Sequence, residues 1–280
     1  LRREKNTNFN LIIIGTFLLC FVIRFAEVLM LRLDETLLNE NFIHKLLGIL
    51  ILAFVLQFIH FTWRDIGFDF KRFYIPILLG LGLGIGRFAL GYGLEYSILA
   101  AQGKNPSFRL FLSSFSLTGN QIELPMYCIL LTCIFNIVNA IMEEGIFRGL
   151  FIKLAEKRYR FAKSNFVAAL LFGIWHVAMP IRNWLDGTMT LRTMLLYSLG
   201  YIILSGSIGI MWGMLFKMSG VIWIGLADHF FNNTILNVLH ITTSSGTDEL
   251  QMVRAMVAQF LAFALVLIIY IKKDKKGYFV

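Results

Sequence analysis

The chain has 280 residues, of which 58% are hydrophobic and only 15% charged, and its mean hydropathy is +0.72. That leaves too little polar surface to cover a soluble globule of this length, so a water-soluble fold is excluded and an integral membrane protein is indicated. The net charge of +9 would suggest nucleic acid in a soluble protein. Here membrane topology accounts for it, and no nucleic-acid partner is expected.

Apolar stretches of about 20 residues predict eight spans, at 9–31, 42–62, 73–100, 123–151, 163–180, 195–214, 221–240 and 254–271. This is an all-α, multi-pass fold, read as one transmembrane domain over 1–280. The first span follows Arg2, Arg3 and Lys5. It contains Arg24 and Glu27 and has no small-residue cleavage site, so it reads as a retained helix rather than a signal peptide. In the third span the glycines of Leu79–Gly86 lack the strand and lysine of a phosphate loop; Gly80 with Gly84 and Gly82 with Gly86 read as helix-packing faces. The stretch from Asn105 to Gln121, with Phe108, Leu110, Phe111 and Phe115, is expected to lie at the membrane interface as helix or loop.

Basic residues alternate between loops. Arg64, Lys71 and Arg72, then Lys153, Lys157, Arg158, Arg160 and Lys163, then Lys217, and finally Lys272, Lys273, Lys275 and Lys276 fall on the side of the N-terminus, while Asp34, Glu35, Glu40, Asp248 and Glu249 fall on the other. The positive-inside rule therefore places both termini in the cytoplasm. Cys20, Cys128 and Cys133 lie in apolar runs and suggest neither a disulfide framework nor a zinc finger.

Ionisable side chains at membrane depth are costly and face a protein interior or a wet cavity, which makes them functional candidates. Glu143 and Glu144, with Arg148 four residues on, interrupt an apolar stretch. At 100° per residue Asn136, Asn139 and Glu143 fall within roughly a 60° arc. Glu144 lies about 100° away and pairs with Arg148, while Gly145 and Gly149 are free to seat a neighbouring helix. Phe172 and His176 stand four apart in the fifth span. His229 and Asn233 do so in the seventh, with Asn232 and His240 near the same face.

A buried glutamate beside an imidazole can deprotonate a water, and a histidine with an asparagine can donate hydrogen bonds to an oxyanion. Alternatively Glu143, His176 and His229 hold a zinc ion with an open water position. The HExxH and Glu-x-x-His spacings and the Gly-x-Ser-x-Gly elbow are absent. Sequence leaves the cofactor open between none and zinc.

Glu143-Glu144-x-x-x-Arg148, Phe172-x-x-x-His176 and His229-x-x-x-Asn233, in this order on separate spans, resemble the three motifs of the CAAX protease and bacteriocin-processing (Abi) family of intramembrane proteases. Trp63-Arg-Asp-Ile-Gly67 is similar to a loop found upstream in that family. The resemblance implies an eight-helix endopeptidase with a catalytic core at about 123–240. It assigns Glu143 and His176 to water activation, His229 and Asn233 to the oxyanion, and supporting roles to Glu144 and Arg148. Implied substrates are a peptide cleaved after a prenylated cysteine or a leader or bacteriocin peptide, entering from the lipid bilayer. The alternative reading is a proton- or cation-coupled transporter using the Glu/His cluster as a relay. A third is a non-catalytic scaffold with a structural polar core.

Overall fold

A computed structural model of the chain describes residues 8–36, 40–113 and 123–277. Among these the protein is an all-α, polytopic membrane protein with six helical segments long and apolar enough to cross a bilayer: Phe9–Glu35, Tyr74–Ala101, Ile129–Glu156, Phe161–Leu185, Leu191–Ser219 and Gln251–Lys275. The expected spans at 42–62 and 221–240 are shorter helices, Ile43–Phe58 and Trp223–Val238, of 16 residues each. At 1.5 Å per residue they reach about 24 Å, less than a hydrocarbon core of about 30 Å.

The chain resolves into two compact units, interleaved in sequence. The first comprises 1–71 and 141–222. It holds α1 (Phe9–Ala26), which runs into a π-helical turn at Glu27–Leu31, and α2 (Ile43–Phe58). The second comprises 72–140 and 223–280, beginning with α3 (Tyr74–Ala101), β1 (Ser107–Leu110), β2 (Leu112–Ser113) and β3 (Glu123–Leu124). Helix α4 (Ile129–Glu143) starts there and carries the chain back to the first unit, where π-helical Glu144–Phe151, α5 (Ile152–Glu156), α6 (Phe161–Trp175), α7 (Ala178–Leu185) and α8 (Leu191–Ser219) follow. Helix α9 (Trp223–Val238), β4 (Leu239–Thr242) and α10 (Gln251–Lys275) complete the second.

In the first unit the core is aromatic. Phe147, Phe172, Trp175 and Trp212 are buried, with Phe147 edge-on to both Phe172 and Trp175 at centroid distances of 5.2 and 5.9 Å. Lipid is as apolar as these side chains, so close packing holds the helices together more than water exclusion does. Gly145 and Gly149 seat neighbours as expected: a Cβ would stand 2.7 Å from Leu52 at the first and 2.8 Å from the Ile66 carbonyl at the second. Ile66 belongs to the Trp63–Gly67 loop, where the Asp65 carboxylate accepts from both the backbone N–H and the hydroxyl of Thr62 at 2.7 Å. Gly67 takes φ +96°, a left-handed conformation open to glycine, and its carbonyl accepts from Ile222 N–H at 3.0 Å. Thr190 caps α8 by accepting from Thr193 N–H at 3.2 Å, and Gly220 (φ 70°) ends that helix.

The second unit centres on Phe88, Tyr92, Leu99, Leu236, Ile241 and Ala258. One glycine pair of α3 behaves as expected and the other does not. Added side-chain carbons at Gly80 and Gly84 would strike α9, at Ala227 (2.8 Å) and Phe231 (2.7 Å), whereas Gly82 and Gly86 have nothing within 4 Å. The stretch expected to lie at the interface as helix or loop contains a strand: β1 pairs antiparallel with β4, Phe108 opposite Ile241 and Arg109 opposite His240. Its later part, 114–121, lies outside the described residues.

Candidate functional site

The expected residues divide between the units: Glu143, Glu144, Arg148 and His176 fall in the first, His229 and Asn233 in the second.

In the first unit the α-helical projection fails at Glu144. Residues Glu144–Phe151 form a π-helix, a locally widened turn of the kind frequent at functional sites. The pair still forms, with Arg148 Nε 3.4 Å from Glu144 Oε2 and both side chains buried. The Arg148 guanidinium is packed over Phe172 at 3.9 Å and Trp212 at 4.9 Å, cation–π contacts that offset part of its desolvation. Phe172, read from sequence as a companion of His176, therefore serves Arg148 as well.

Glu143 is 2% exposed. Its Oε1 accepts from the Trp175 indole N–H at 2.7 Å and stands 3.7 Å from Arg24 Nη1. Helix α6 ends at Trp175, and His176 is its C-cap rather than an interior helical residue. His176 Nδ1 lies 2.8 Å from the Phe172 carbonyl. A carbonyl only accepts, so Nδ1 carries the hydrogen and the neutral ring keeps its lone pair on Nε2. Edge contact with Phe172 and stacking on Tyr201 set the ring plane.

In the second unit α9 presents a chained polar face. Arg87 of α3 places Nε and Nη2 on the two Asp228 oxygens at 3.1 and 3.2 Å and donates to Asn232 Oδ1 at 2.9 Å. A guanidinium only donates, so Asn232 must turn its oxygen to Arg87 and its amide N–H to Asn233 Oδ1, 3.2 Å away. Asn233 is thereby committed with its oxygen inward, and its NH₂ is left to donate. His229 is 3% exposed on the same helix. Asn136 of α4 donates to Thr234 at 3.1 Å and lies 3.4 Å from Asn237 Oδ1. His240, grouped with this face in sequence, lies beyond the helix end in β4, with Nδ1 2.6 Å from Asp248. Buried Arg254 joins that pair, reaching Asp248 at 3.0 Å and Glu95 at 2.7 Å.

Among the described residues no group of three or more His, Cys, Asp or Glu side chains could hold a metal ion.

Sequence reasoning missed Trp175, Arg24, His44 and Arg87. Trp175 carries no signal, because an aromatic in an apolar span is ordinary. The other three are polar groups inside predicted spans and were open to the rule that singled out Glu143.

Residues 125–235 match the family model described as type II CAAX prenyl endopeptidase Rce1-like. That stretch holds all the expected site residues and neither Arg24, His44 nor Arg87. No curated protein matches the chain.

Proposed function

We propose that the protein is an intramembrane endopeptidase that cleaves a peptide after a prenylated cysteine, using a water activated by Glu143. The observation that carries this reading is a buried carboxylate held by an indole N–H at 2.7 Å within the segment similar to prenyl endopeptidases. Such a carboxylate is oriented and shielded from bulk water, as a general base requires.

Glu143 takes a proton from water, and the hydroxide adds to the scissile carbonyl. The His176 ring, with its lone pair on Nε2, accepts a hydrogen bond from that water. Negative charge developing on the carbonyl oxygen is met by N–H donors from His229 and the Asn233 amide. As the carbon–nitrogen bond breaks, Glu143 returns its proton to the leaving amine, giving a carboxylate and an amine. Glu144 and Arg148 support the helix that carries the base. In the same reading both termini face the cytoplasm, following the lysine and arginine bias, and the substrate enters from the bilayer.

The test is hydrolysis by purified protein of matched peptides with a farnesylated, geranylgeranylated or unmodified cysteine, with and without chelator. Cleavage confined to the prenylated peptides and lost in Glu143→Gln supports the reading. Equal cleavage of unmodified leader peptides would move the substrate to the other branch of the resemblance. Stoichiometric metal lost together with activity in His229→Ala would replace the metal-free mechanism.

A further inference from the structure

Arg24 sits in α1, far in sequence from the segment similar to the prenyl endopeptidases, yet it forms an ion pair with Glu143 at 3.7 Å, and its guanidinium lies over the Trp175 ring at 4.7 Å. The same indole donates to Glu143. One aromatic ring thus orients both members of the pair.

Behind Arg24 stands a second pair. The Glu27 carboxylate accepts from the backbone N–H groups of Ile43 and His44 at 2.8 and 2.7 Å, at the start of α2, where orphan N–H groups and the helix dipole favour an anion. Its Oε2 lies 2.5 Å from His44 Nδ1, and His44 Nε2 lies 3.3 Å from Arg24 Nη1. Arginine only donates, so Nε2 accepts and the His44 hydrogen sits on Nδ1, facing Glu27. The row then has a consistent direction: Arg24 Nη1 donates to His44, and His44 donates to Glu27. Glu27 is occupied by the α2 terminus and the imidazole, so the charge of Arg24 is directed at Glu143.

We infer that Arg24 is a positioning residue for the proposed hydrolysis: it holds Glu143 ionised and fixed against Trp175, and the Glu27–His44 pair fixes Arg24 in turn. This rests on the reading of Glu143 as the base. A carboxylate buried without a cation binds a proton and cannot take another from water, whereas an opposite charge within about 4–6 Å favours the ionised form by roughly 1–3 pH units. Among the further charged and titratable groups facing this pair are Arg148 on the π-helix, which acts on Glu143; Glu27 and Glu40 behind Arg24; His44 on α2; and Tyr201 on α8. Arg24 is a cation that stands against Glu143 from outside its own segment.

The experiment is an infrared difference spectrum between the detergent-purified protein and its Glu143→Gln variant near neutral pH, repeated in an Arg24→Gln background and paired with pH–rate profiles on the prenylated peptide. The carboxylate band of Glu143 is expected in the parent background and the protonated-acid band in Arg24→Gln, whose acid limb in kcat/KM moves up by about one pH unit or more. Where Arg24→Gln fails to fold, Arg24→Lys carries the test. It keeps the charge and loses the planar contact with Trp175, so the carboxylate band persists while kcat falls about tenfold with KM unchanged. Carboxylate bands and acid limbs identical in the parent and Arg24→Gln, or an Arg24→Lys protein unchanged in both band and kcat, would overturn the inference. Activity that survives Glu143→Gln would remove the hydrolytic reading, and the positioning role with it, even where the infrared pairing persists.

Discussion

Arg87, in the second unit, lays its fork on Asp228 at 3.1 and 3.2 Å and reaches Asn232 at 2.9 Å. Arg148, in the first, stands 3.4 Å from Glu144, and its nitrogens make no hydrogen bond among the described residues; its flat faces rest on Phe172 and Trp212. Both are buried at membrane depth, where an arginine is expensive. The first solution is directional: planar hydrogen bonds fix one geometry and pass an orientation on to Asn233. The second is electrostatic and aromatic, so charge is balanced without a rigid bidentate lock. Under the proposed hydrolysis the first suits an oxyanion donor, whose direction must be fixed beforehand, and the second a segment that carries a base and needs a balanced field.

This contrast is testable at both ends. The largest effect is expected at the base itself. Glu143→Gln keeps the shape and loses the proton acceptor, so turnover should fall by about 100-fold or more in a peptide-cleavage assay while the thermal unfolding profile is retained. Breaking either arginine pair comes next. Arg148→Ala and Arg87→Ala each strand a buried carboxylate and should cost about 3–5 kcal/mol, read as loss of thermal stability in detergent. The lysine replacements separate the two designs: Arg87→Lys cannot reproduce the fork and should recover little of that stability, whereas Arg148→Lys should recover more, since its pairing depends on charge rather than on two parallel hydrogen bonds. Equal rescue at both positions would erase the distinction drawn here.

Asn233→Ala should lower kcat by roughly 100-fold with KM little changed, the signature of a group acting on developing charge. Asn232→Ala should reproduce a fraction of that loss, because it only releases the Asn233 amide from its fixed orientation. The smallest effect concerns pH. Burial opposes the charge on Asp248, but its bonds with His240, Arg254 and the Ile241 N–H outweigh this and hold its carboxyl below the usual range. A lowered folded-state value contributes stability that is fully present above about pH 4, the unfolded value, and is lost as pH falls through the folded value. Asp248→Asn should therefore flatten the acid side of a plot of melting temperature against pH, by an amount corresponding to about 1 kcal/mol or less.

The candidate residues stood out in the sequence because a charge, an imidazole or an amide inside an apolar run contrasts with its surroundings. Glu143, Glu144, Arg148, His176, His229 and Asn233 were singled out by that contrast and by their spacing, and the pair expected between Glu144 and Arg148 forms. What sequence did not show is set by contacts over long separations. Arg24 and Glu27 were noticed only as residues unsuited to a signal peptide, since nothing local says that Glu143 will be the partner. The π-helix at Glu144–Phe151 leaves no periodic signature, so an angular projection carried through it misplaces every later residue. The two 16-residue helices were overestimated because hydropathy continues past the points where Ile59 ends α2 and β4 begins after α9. The pairing of β1 with β4 joins segments more than a hundred residues apart, and the alternation in such short strands is too brief to read.

The interleaving of the two units has a consequence for how the chain is made. Synthesis at roughly 5–20 residues per second delivers Glu143 about 6–24 s after Arg24. During that interval the α1–α2 hairpin must enter the bilayer with a cation and an anion in it and their eventual neighbour not yet translated. The Glu27–His44 bond, only 17 residues apart in sequence, can close as soon as α2 emerges, and Arg24 then has His44 to donate to. The first hairpin is thus electrically balanced when it leaves the insertion machinery, with Arg24 and Glu27 offsetting each other until α4 arrives and Glu143 takes up the ion pair.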